Sequence, residues 1–109
     1  MTAQQKTVQP SSRSAVYEID LHIENLVSTT KGLSNAEMLE IQLSALKQAL
    51  NDAVMNRQER LMIIHGLGRG VLRDEVHKVL AETPGIERYV NEWQGKYGFG
   101  ATEVFFDYL

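Results

Sequence analysis

The sequence predicts a two-layer α/β sandwich in which two helices cover one face of a mixed four-stranded sheet. Segments that alternate like strands and segments with helical periodicity follow one another in the order β-α-β-α-β-β. The first strand-helix-strand series implies a parallel pair of strands with a right-handed crossover. The last two strands are joined by the glycine-rich stretch QGKYGFG, which predicts a hairpin. Because only two helices are predicted, they cover only one face of the sheet.

Composition narrows the classes of protein to which the chain can belong. Its 109 residues suit one domain, and 43% hydrophobic with 23% charged residues is typical of a soluble globular chain. The absence of cysteine excludes disulfide frameworks, cysteine-zinc sites and thiol nucleophiles. A net charge of −3 argues against a large basic surface for nucleic acid, although it is compatible with a local basic patch.

The first 14 residues, MTAQQKTVQPSSRS, have the polar composition of a disordered leader or linker, so residues 15–109 form the predicted domain. The leader resembles the end of an interdomain linker, which indicates other domains of a longer parent chain as partners. No apolar run is long enough to span a bilayer, and the N-terminus lacks a secretory signal. We therefore expect a cytoplasmic protein that makes no membrane contact.

The first strand and the first helix are marked by periodicity and by a cap. Residues 16–22 alternate between apolar and polar side chains, which predicts a half-buried strand. Ser34 and Glu37 have the spacing of a capping box, so a helix is predicted to begin there and to end near Asn56. The inward face of this helix is predicted to consist of Leu39, Leu43, Leu46, Leu50 and Val54.

The second half of the chain repeats the pattern and then adds two strands. Four consecutive apolar residues, 61–64, predict a buried central strand, and a helix is predicted over residues 71–82. Two more strands are predicted over residues 86–93 and 101–108. Three aromatic residues near their joint are interpreted as hairpin packing and not as platforms for stacked bases: Trp93, Tyr97 and Phe99.

Three polar side chains are predicted to meet at one edge of the sheet. Asp20 and His22 are two residues apart at the carboxyl end of the first strand, so their side chains point the same way. His65 follows the second strand, which is predicted to be the parallel neighbour of the first. Since ligands of open α/β sheets bind outside the carboxyl ends of strands, this edge is the candidate site. Asp74 and His77 lack a second pair to complete a metal site and are interpreted as solvated.

The glycine loop that follows the second strand suits an anion. Gly66, Gly68 and Gly70 allow positive φ angles and the close approach of a ligand. Successive backbone N–H groups and the start of the next helix bind anions, and Arg69 and Arg73 are predicted to add charge to a bound phosphate. The loop lacks the Gly-Lys-Ser/Thr of a P-loop and the glycine spacing of a dinucleotide fingerprint.

Three motifs resemble, in their order and spacing, those of the Smr (small MutS-related) domain family: IDLH at residues 19–22, HGLGRG at residues 65–70 and YGFGATEVFF at residues 97–106. The resemblance covers nearly all of the predicted domain. It implies a fold similar to the C-terminal domain of a bacterial translation initiation factor. It also implies nucleic-acid binding and, in several members, endonuclease activity on DNA or RNA.

The resemblance also implies roles for individual residues. By position, Asp20 and His22 match the motif tied to cleavage, and His65 with the three loop glycines matches the motif tied to substrate binding. In an endonuclease we expect His22 to act as the general acid or base. Asp20 is expected to orient His22 or to serve as an oxygen ligand for Mg²⁺ or Mn²⁺. His65 is expected mainly to position the substrate and to donate to a phosphate oxygen.

A non-catalytic module is the alternative, in which the same crevice binds a nucleotide, a phosphorylated partner or other domains of the parent chain. The acidic net charge favours this alternative. So does Leu67, which stands where the glycine motif of the Smr family often has a basic residue. The sequence does not decide between RNA and DNA as the nucleic-acid partner.

Overall fold

The order of helices and strands is the predicted β-α-β-α-β-β, in a computed structural model that describes residues 17–92 and 98–108. The strands are β1 (Tyr17–Asp20), β2 (Arg60–Ile64), β3 (Ile86–Glu92) and β4 (Ala101–Phe106). The helices are α1 (Asn35–Met55) and α2 (Val71–Glu82). Two short 3₁₀ helices, Ile23–Asn25 and Gly98–Gly100, lie after β1 and before β4.

The order of the strands in the sheet places both helices on one face. The sheet runs β1-β2-β4-β3, with β1 parallel to β2 and β4 antiparallel to both of its neighbours. The strands β2 and β3 are therefore parallel, with β4 inserted between them. Both strand-helix-strand connections advance across the sheet in the same direction, so right-handed crossovers put α1 and α2 on the same side. The predicted two-layer sandwich with a mixed sheet is confirmed.

The core lies between the two helices and the face of the sheet that they cover. Neighbouring strands contribute Leu61, Ile63 and Val104 to it, and the helices contribute Leu46, Leu50, Ala53, Val76 and Leu80, all of which are buried. Val54 is 41% exposed, so its predicted place on the inward face of α1 is wrong. In the last turn of the helix the inward residue is Ala53, which is smaller and is buried in the core.

Two predicted strand ends change in the structure. The strand β4 ends at Phe106, two residues earlier than predicted. The strand β1 ends at Asp20, because His22 already begins the 3₁₀ helix Ile23–Asn25. Phe99 is 53% exposed, and its interpretation as hairpin packing stays a prediction. The same interpretation of Trp93 and Tyr97 falls outside the described residues, as do the predicted leader and Val16.

The capping box at the start of α1 is confirmed in both of its hydrogen bonds. The Ser34 hydroxyl accepts from the Glu37 backbone N–H at 3.1 Å, and the Glu37 carboxylate accepts from the Ser34 backbone N–H at 2.8 Å.

We expect Ser34→Ala to lower the free energy of unfolding by about 0.5–2 kcal/mol, the usual effect of removing a cap. Denaturant titration measures it, with Ser34→Thr as the control that keeps a hydroxyl; an unchanged midpoint in the alanine variant would contradict the role of the cap.

Candidate functional site

Asp20 and His22 form a hydrogen-bonded pair at the carboxyl end of β1. The ring Nδ1 of His22 lies 2.7 Å from Asp20 Oδ1, and the backbone N–H of His22 donates to the same oxygen at 2.9 Å. Asn25 donates to Asp20 Oδ2 at 3.0 Å. The predicted proximity is confirmed, but a turn produces it and strand alternation does not, since His22 lies beyond the end of β1.

These hydrogen bonds determine which nitrogen of His22 can exchange protons with a ligand. Burial raises the pKa of Asp20, but the hydrogen bonds from His22, the charge of its ring and the Asn25 amide outweigh burial and lower the pKa overall. The carboxylate is thus ionised near neutral pH and can only accept hydrogen bonds, so His22 Nδ1 carries a proton. In the neutral ring the lone pair is then on Nε2, the atom that faces away from Asp20.

The Nε2 atom of His22 lies against the first glycine of the glycine loop. A Cβ atom built on Gly66 would be 2.9 Å from His22 Nε2. Gly66 also has a φ of +80°, a conformation that side chains with a Cβ rarely adopt. The absence of a side chain at Gly66 therefore serves two purposes, since it permits the turn after β2 and leaves room for the His22 ring beside the loop.

His65 is buried and has partners for both ring nitrogens. Its Nδ1 lies 2.8 Å from the Gly66 carbonyl oxygen and its Nε2 lies 2.9 Å from Thr102 Oγ1, and the residue is 6% exposed. Burial lowers the pKa of His65 and outweighs the opposite effect of the hydrogen bond to Gly66. This geometry agrees with the predicted positional role, and it leaves both ring nitrogens directed at the protein and not at a phosphate oxygen.

The glycine loop leads directly into the start of α2. Gly70 is the N-cap of α2 with a φ of +85°, and it supplies no side chain to cap the first N–H groups of the helix. The backbone N–H groups of His65 and Gly66 are held away from the loop surface, because both donate to the Gly100 carbonyl, at 3.0 and 2.9 Å. The loop is thereby attached to the start of β4, and the N-terminus of α2 places its positive dipole end beside the loop.

The candidate side chains line one cleft of about 250 Å³, which is bordered by His22, His65 and residues 66–73. Arg69 and Arg73 are among them, and Arg73 folds back over Gly70, where a built Cβ would meet its guanidinium at 2.5 Å. Asp20 does not line the cleft and stands behind His22. The structure thus brings together every predicted site residue, with Asp20 reaching the cleft only through the histidine.

A larger cleft of about 420 Å³ lies between β1 and the C-terminal half of α1. Among the described residues that line it, the charged ones are Glu18 and Asp52, both acidic, and none is a histidine. Acidic side chains disfavour a phosphate ligand, so size alone does not make this cleft the better candidate. The smaller cleft has two arginines, two histidines and a helix N-terminus.

Thr102 was not predicted as a site residue, and the interpretation of His77 as solvated is wrong. His77 Nε2 lies 2.8 Å from Thr102 Oγ1, so His77 is wrongly interpreted as solvated, whereas Asp74 is 66% exposed as predicted. Burial and then the Arg73 guanidinium lower the pKa of His77. Thr102 is fully buried. The threonine in the predicted strand ATEVFF is the signal in the sequence that could have indicated a buried polar partner.

The residues around Asp20 do not form a ready metal site. Among residues 17–92 and 98–108, no three His, Cys, Asp or Glu side chains gather closely enough to hold a metal ion. Both oxygens of Asp20 already accept hydrogen bonds. Mg²⁺ is often bound by only one or two carboxylates together with substrate phosphates. The contacts of Asp20 fit the predicted orienting role better than the predicted ligand role.

Comparison with known proteins identifies relatives of the chain. Residues 35–107 match the Smr domain family, a range that includes the glycine loop and β4, whereas Asp20 and His22 precede it. The chain is 29% identical over 99 residues to Endonuclease MutS2 of Maridesulfovibrio salexigens and 30% identical over 89 residues to Endonuclease MutS2 of Streptococcus pneumoniae strain Hungary19A-6. These alignments cover 91% and 75% of this chain, but only 13% and 11% of the relatives.

Two solved structures of MutS-related proteins have a fold similar to that of this chain. The Smr domain of Thermus thermophilus MutS2 superposes with a TM-score of 0.65 at 27% identity, covering 83% of this chain and 96% of that one. YdaL, a stand-alone small MutS-related protein from Escherichia coli, has a TM-score of 0.56 at 20% identity, covers 86% of this chain and 69% of its own, and supports the fold alone.

The fold and the glycine loop define a small two-layer α/β domain whose candidate site lies at the carboxyl ends of its parallel strands. With the family match and the relatives above, the chain belongs to the Smr domain family, as its three motifs predict. No helix among the described residues is long and apolar enough to cross a membrane.

Proposed function

We propose that this domain binds nucleic acid through backbone phosphates and cleaves a phosphodiester bond with His22. The observation that carries the proposal is the Asp20–His22 pair, whose outward Nε2 atom lies beside the glycine loop. A phosphate held by the N-terminus of α2, with Arg69 and Arg73 beside it, would place a scissile bond within reach of that nitrogen. The Endonuclease MutS2 relatives are named for this kind of reaction, which supports the proposal.

The chemistry follows from the protonation of the pair. With RNA, His22 Nε2 takes the proton of the 2′-hydroxyl, whose oxygen then bonds to phosphorus while the bond to the 5′-oxygen breaks. The leaving 5′-oxygen takes a proton from water, and the imidazolium of His22 later returns its proton to solvent. With DNA, a water molecule replaces the 2′-hydroxyl as the nucleophile. Asp20 keeps the ring oriented and stabilises the imidazolium that forms. The arginines and the helix N-terminus stabilise the charge on the phosphate.

The test is a cleavage assay of the purified chain on labelled single-stranded and double-stranded RNA and DNA. Each substrate is incubated with EDTA, with Mg²⁺ and with Mn²⁺, so that the predicted role of a divalent ion is tested in the same experiment. Cleavage of at least one substrate by the parent chain, lost in the His22→Ala variant, supports the proposal. Binding of all substrates without cleavage, under every ion condition, would contradict the catalytic half of it.

A second candidate function is a binding module without catalysis. Leu67 and Val71 are 63% and 59% exposed at the cleft, which is an apolar rim that suits a protein partner as well as a nucleotide. The relatives are long chains of which this domain spans a small part, so other domains of a parent chain are a candidate partner. The same assay decides, because this function predicts affinity without turnover.

The arginines of the cleft give a test of phosphate binding that does not depend on catalysis. If Arg69 and Arg73 each contact a phosphate, replacing either with glutamine should reduce the slope of log affinity against log salt concentration by about 1. The loss should be similar for all nucleic-acid sequences, since phosphate contacts carry no sequence information. The control is Lys47→Gln, which removes a charge from α1 away from the cleft. An unchanged slope in the double arginine variant would place the nucleic acid elsewhere.

A further inference from the structure

Three side chains, the buried His65 and Thr102 and the half-buried His77, form a hydrogen-bonded chain behind the glycine loop. Thr102 Oγ1 lies 2.9 Å from His65 Nε2 on one side and 2.8 Å from His77 Nε2 on the other. The two histidine rings meet edge to face, with centroids 6.2 Å apart. Three elements are joined in this way, since His65 follows β2, Thr102 belongs to β4 and His77 belongs to α2.

The direction of each hydrogen bond in this chain follows from the group at its end. The Gly66 carbonyl oxygen can only accept, so His65 Nδ1 carries a proton. In the neutral ring His65 Nε2 then holds a lone pair, which accepts the single hydroxyl proton of Thr102. The Thr102 oxygen is left to accept, so His77 Nε2 must donate to it. All protons in the chain therefore point from His77 toward the glycine loop.

Burial supports the neutral form of both rings. His65 is 6% exposed and Thr102 is fully buried. The pKa values of His65 and His77 are both lowered, in each case mainly by burial, so neither ring is charged near neutral pH. His77 also packs against Tyr89 of β3, with ring centroids 5.1 Å apart, which fixes the plane from which it donates.

We infer that His77 and Thr102 are positioning residues, which hold His65 in its Nδ1–H tautomer and thereby hold the Gly66 carbonyl and the glycine loop in the conformation that receives phosphate. The Nδ1–H of His65 is the donor that fixes the orientation of the Gly66 peptide. The backbone N–H groups of His65 and Gly66 complete the attachment through the Gly100 carbonyl. The assignment of the loop as a phosphate receptor rests on the proposed function; the tautomer and its control of the loop do not.

The first test reads the tautomer directly and needs no ligand. Two-bond proton–nitrogen correlation spectra of the ¹⁵N-labelled chain at neutral pH distinguish a protonated ring nitrogen from one with a lone pair. We expect His65 with Nδ1 protonated and Nε2 bare, and His77 with Nε2 protonated. A His65 ring protonated on Nε2, or a His77 ring with a bare Nε2, would overturn the inference.

The second test reads the loop. Thr102→Val removes the hydroxyl with little change of shape, whereas Thr102→Ser keeps it, so the two variants are a matched pair. We expect hydrogen exchange of the Gly66 amide to become roughly tenfold faster in Thr102→Val, because the variant removes one partner of a buried hydrogen bond. In Thr102→Ser, which keeps the hydroxyl, exchange should stay near the parent value. Equal exchange in the two variants would overturn the inference.

The half-buried His77 gives a second pair of variants in case Thr102→Val does not fold. His77→Gln can still donate to Thr102, and His77→Leu cannot, so only the leucine variant should release the Gly66 amide. The affinity of each variant for fluorescein-labelled oligouridylate is then measured, and it should fall roughly tenfold only in those variants that release the amide. If the parent chain does not bind the oligonucleotide, the proposed function fails, while the spectra and the exchange rates still decide the inference.

Discussion

Replacing His22 with alanine is expected to lower the rate of phosphodiester cleavage by about 10²–10⁴-fold, the usual contribution of a general acid or base. Affinity for the same oligonucleotide should change little, because the proposed phosphate contacts come from α2 and the arginines. The hydrogen bond that His22 loses is the one to Asp20, which is not a proposed phosphate contact. Single-turnover cleavage measured beside equilibrium binding separates the two effects. Cleavage by the alanine variant at the parent rate would remove His22 from the mechanism.

The partner of His22 supplies the matched variants for this prediction. Asp20→Asn keeps the shape of the side chain and one oxygen that can accept from His22 Nδ1, but it removes the charge that stabilises the imidazolium. We expect it to lower the cleavage rate as His22→Ala does and to leave the dependence on Mg²⁺ or Mn²⁺ unchanged, since the contacts of Asp20 fit the orienting role. A changed ion dependence would assign Asp20 the ligand role instead.

The fold could be predicted because its evidence in the sequence is local. The capping box, the stripe of α1 and the alternation of β1 each depend on residues within a few positions of one another, and periodicity reports such spacing directly. Val54 lies outside the inward face because the regular stripe does not continue to the end of the helix, where a smaller residue, Ala53, packs in the core. Helical periodicity alone does not show where the facing sheet ends.

The edge of the candidate site could also be predicted, because parallel neighbours bring their carboxyl ends together. The contact between His77 and Thr102 could not. It joins residues 25 positions apart and depends on β4 entering the sheet between β2 and β3, next to the strand that leads to His65. A sheet with β3 next to β2 and β4 at the edge would have satisfied the same sequence pattern, and β3 would then have separated Thr102 from His65. Strand order is a tertiary property that alternation does not specify.

Gly66→Ala is expected to affect both the stability of the fold and the rate of cleavage. An alanine at a φ of +80° is strained, which should lower the free energy of unfolding by about 1–2 kcal/mol. Its methyl group would also lie 2.9 Å from His22 Nε2, so the ring must move away from the loop. Misplacement of a catalytic group by about 1 Å lowers a rate by about 10²-fold. We therefore expect cleavage to fall at least 10²-fold, with the variant still folded.

A matched control separates strain from the displacement of His22. Gly85 has a φ of +87°, close to that of Gly66, but a Cβ there would meet no atom within 4 Å, and the residue lies in the turn between α2 and β3. Gly85→Ala should therefore lower the melting temperature about as much as Gly66→Ala and leave cleavage by the folded protein at the parent rate. If both variants lose cleavage equally, backbone strain explains the loss and the packing of His22 against Gly66 does not. If Gly66→Ala alone loses it, the glycine at the start of the loop is required because the His22 ring occupies the space of a side chain.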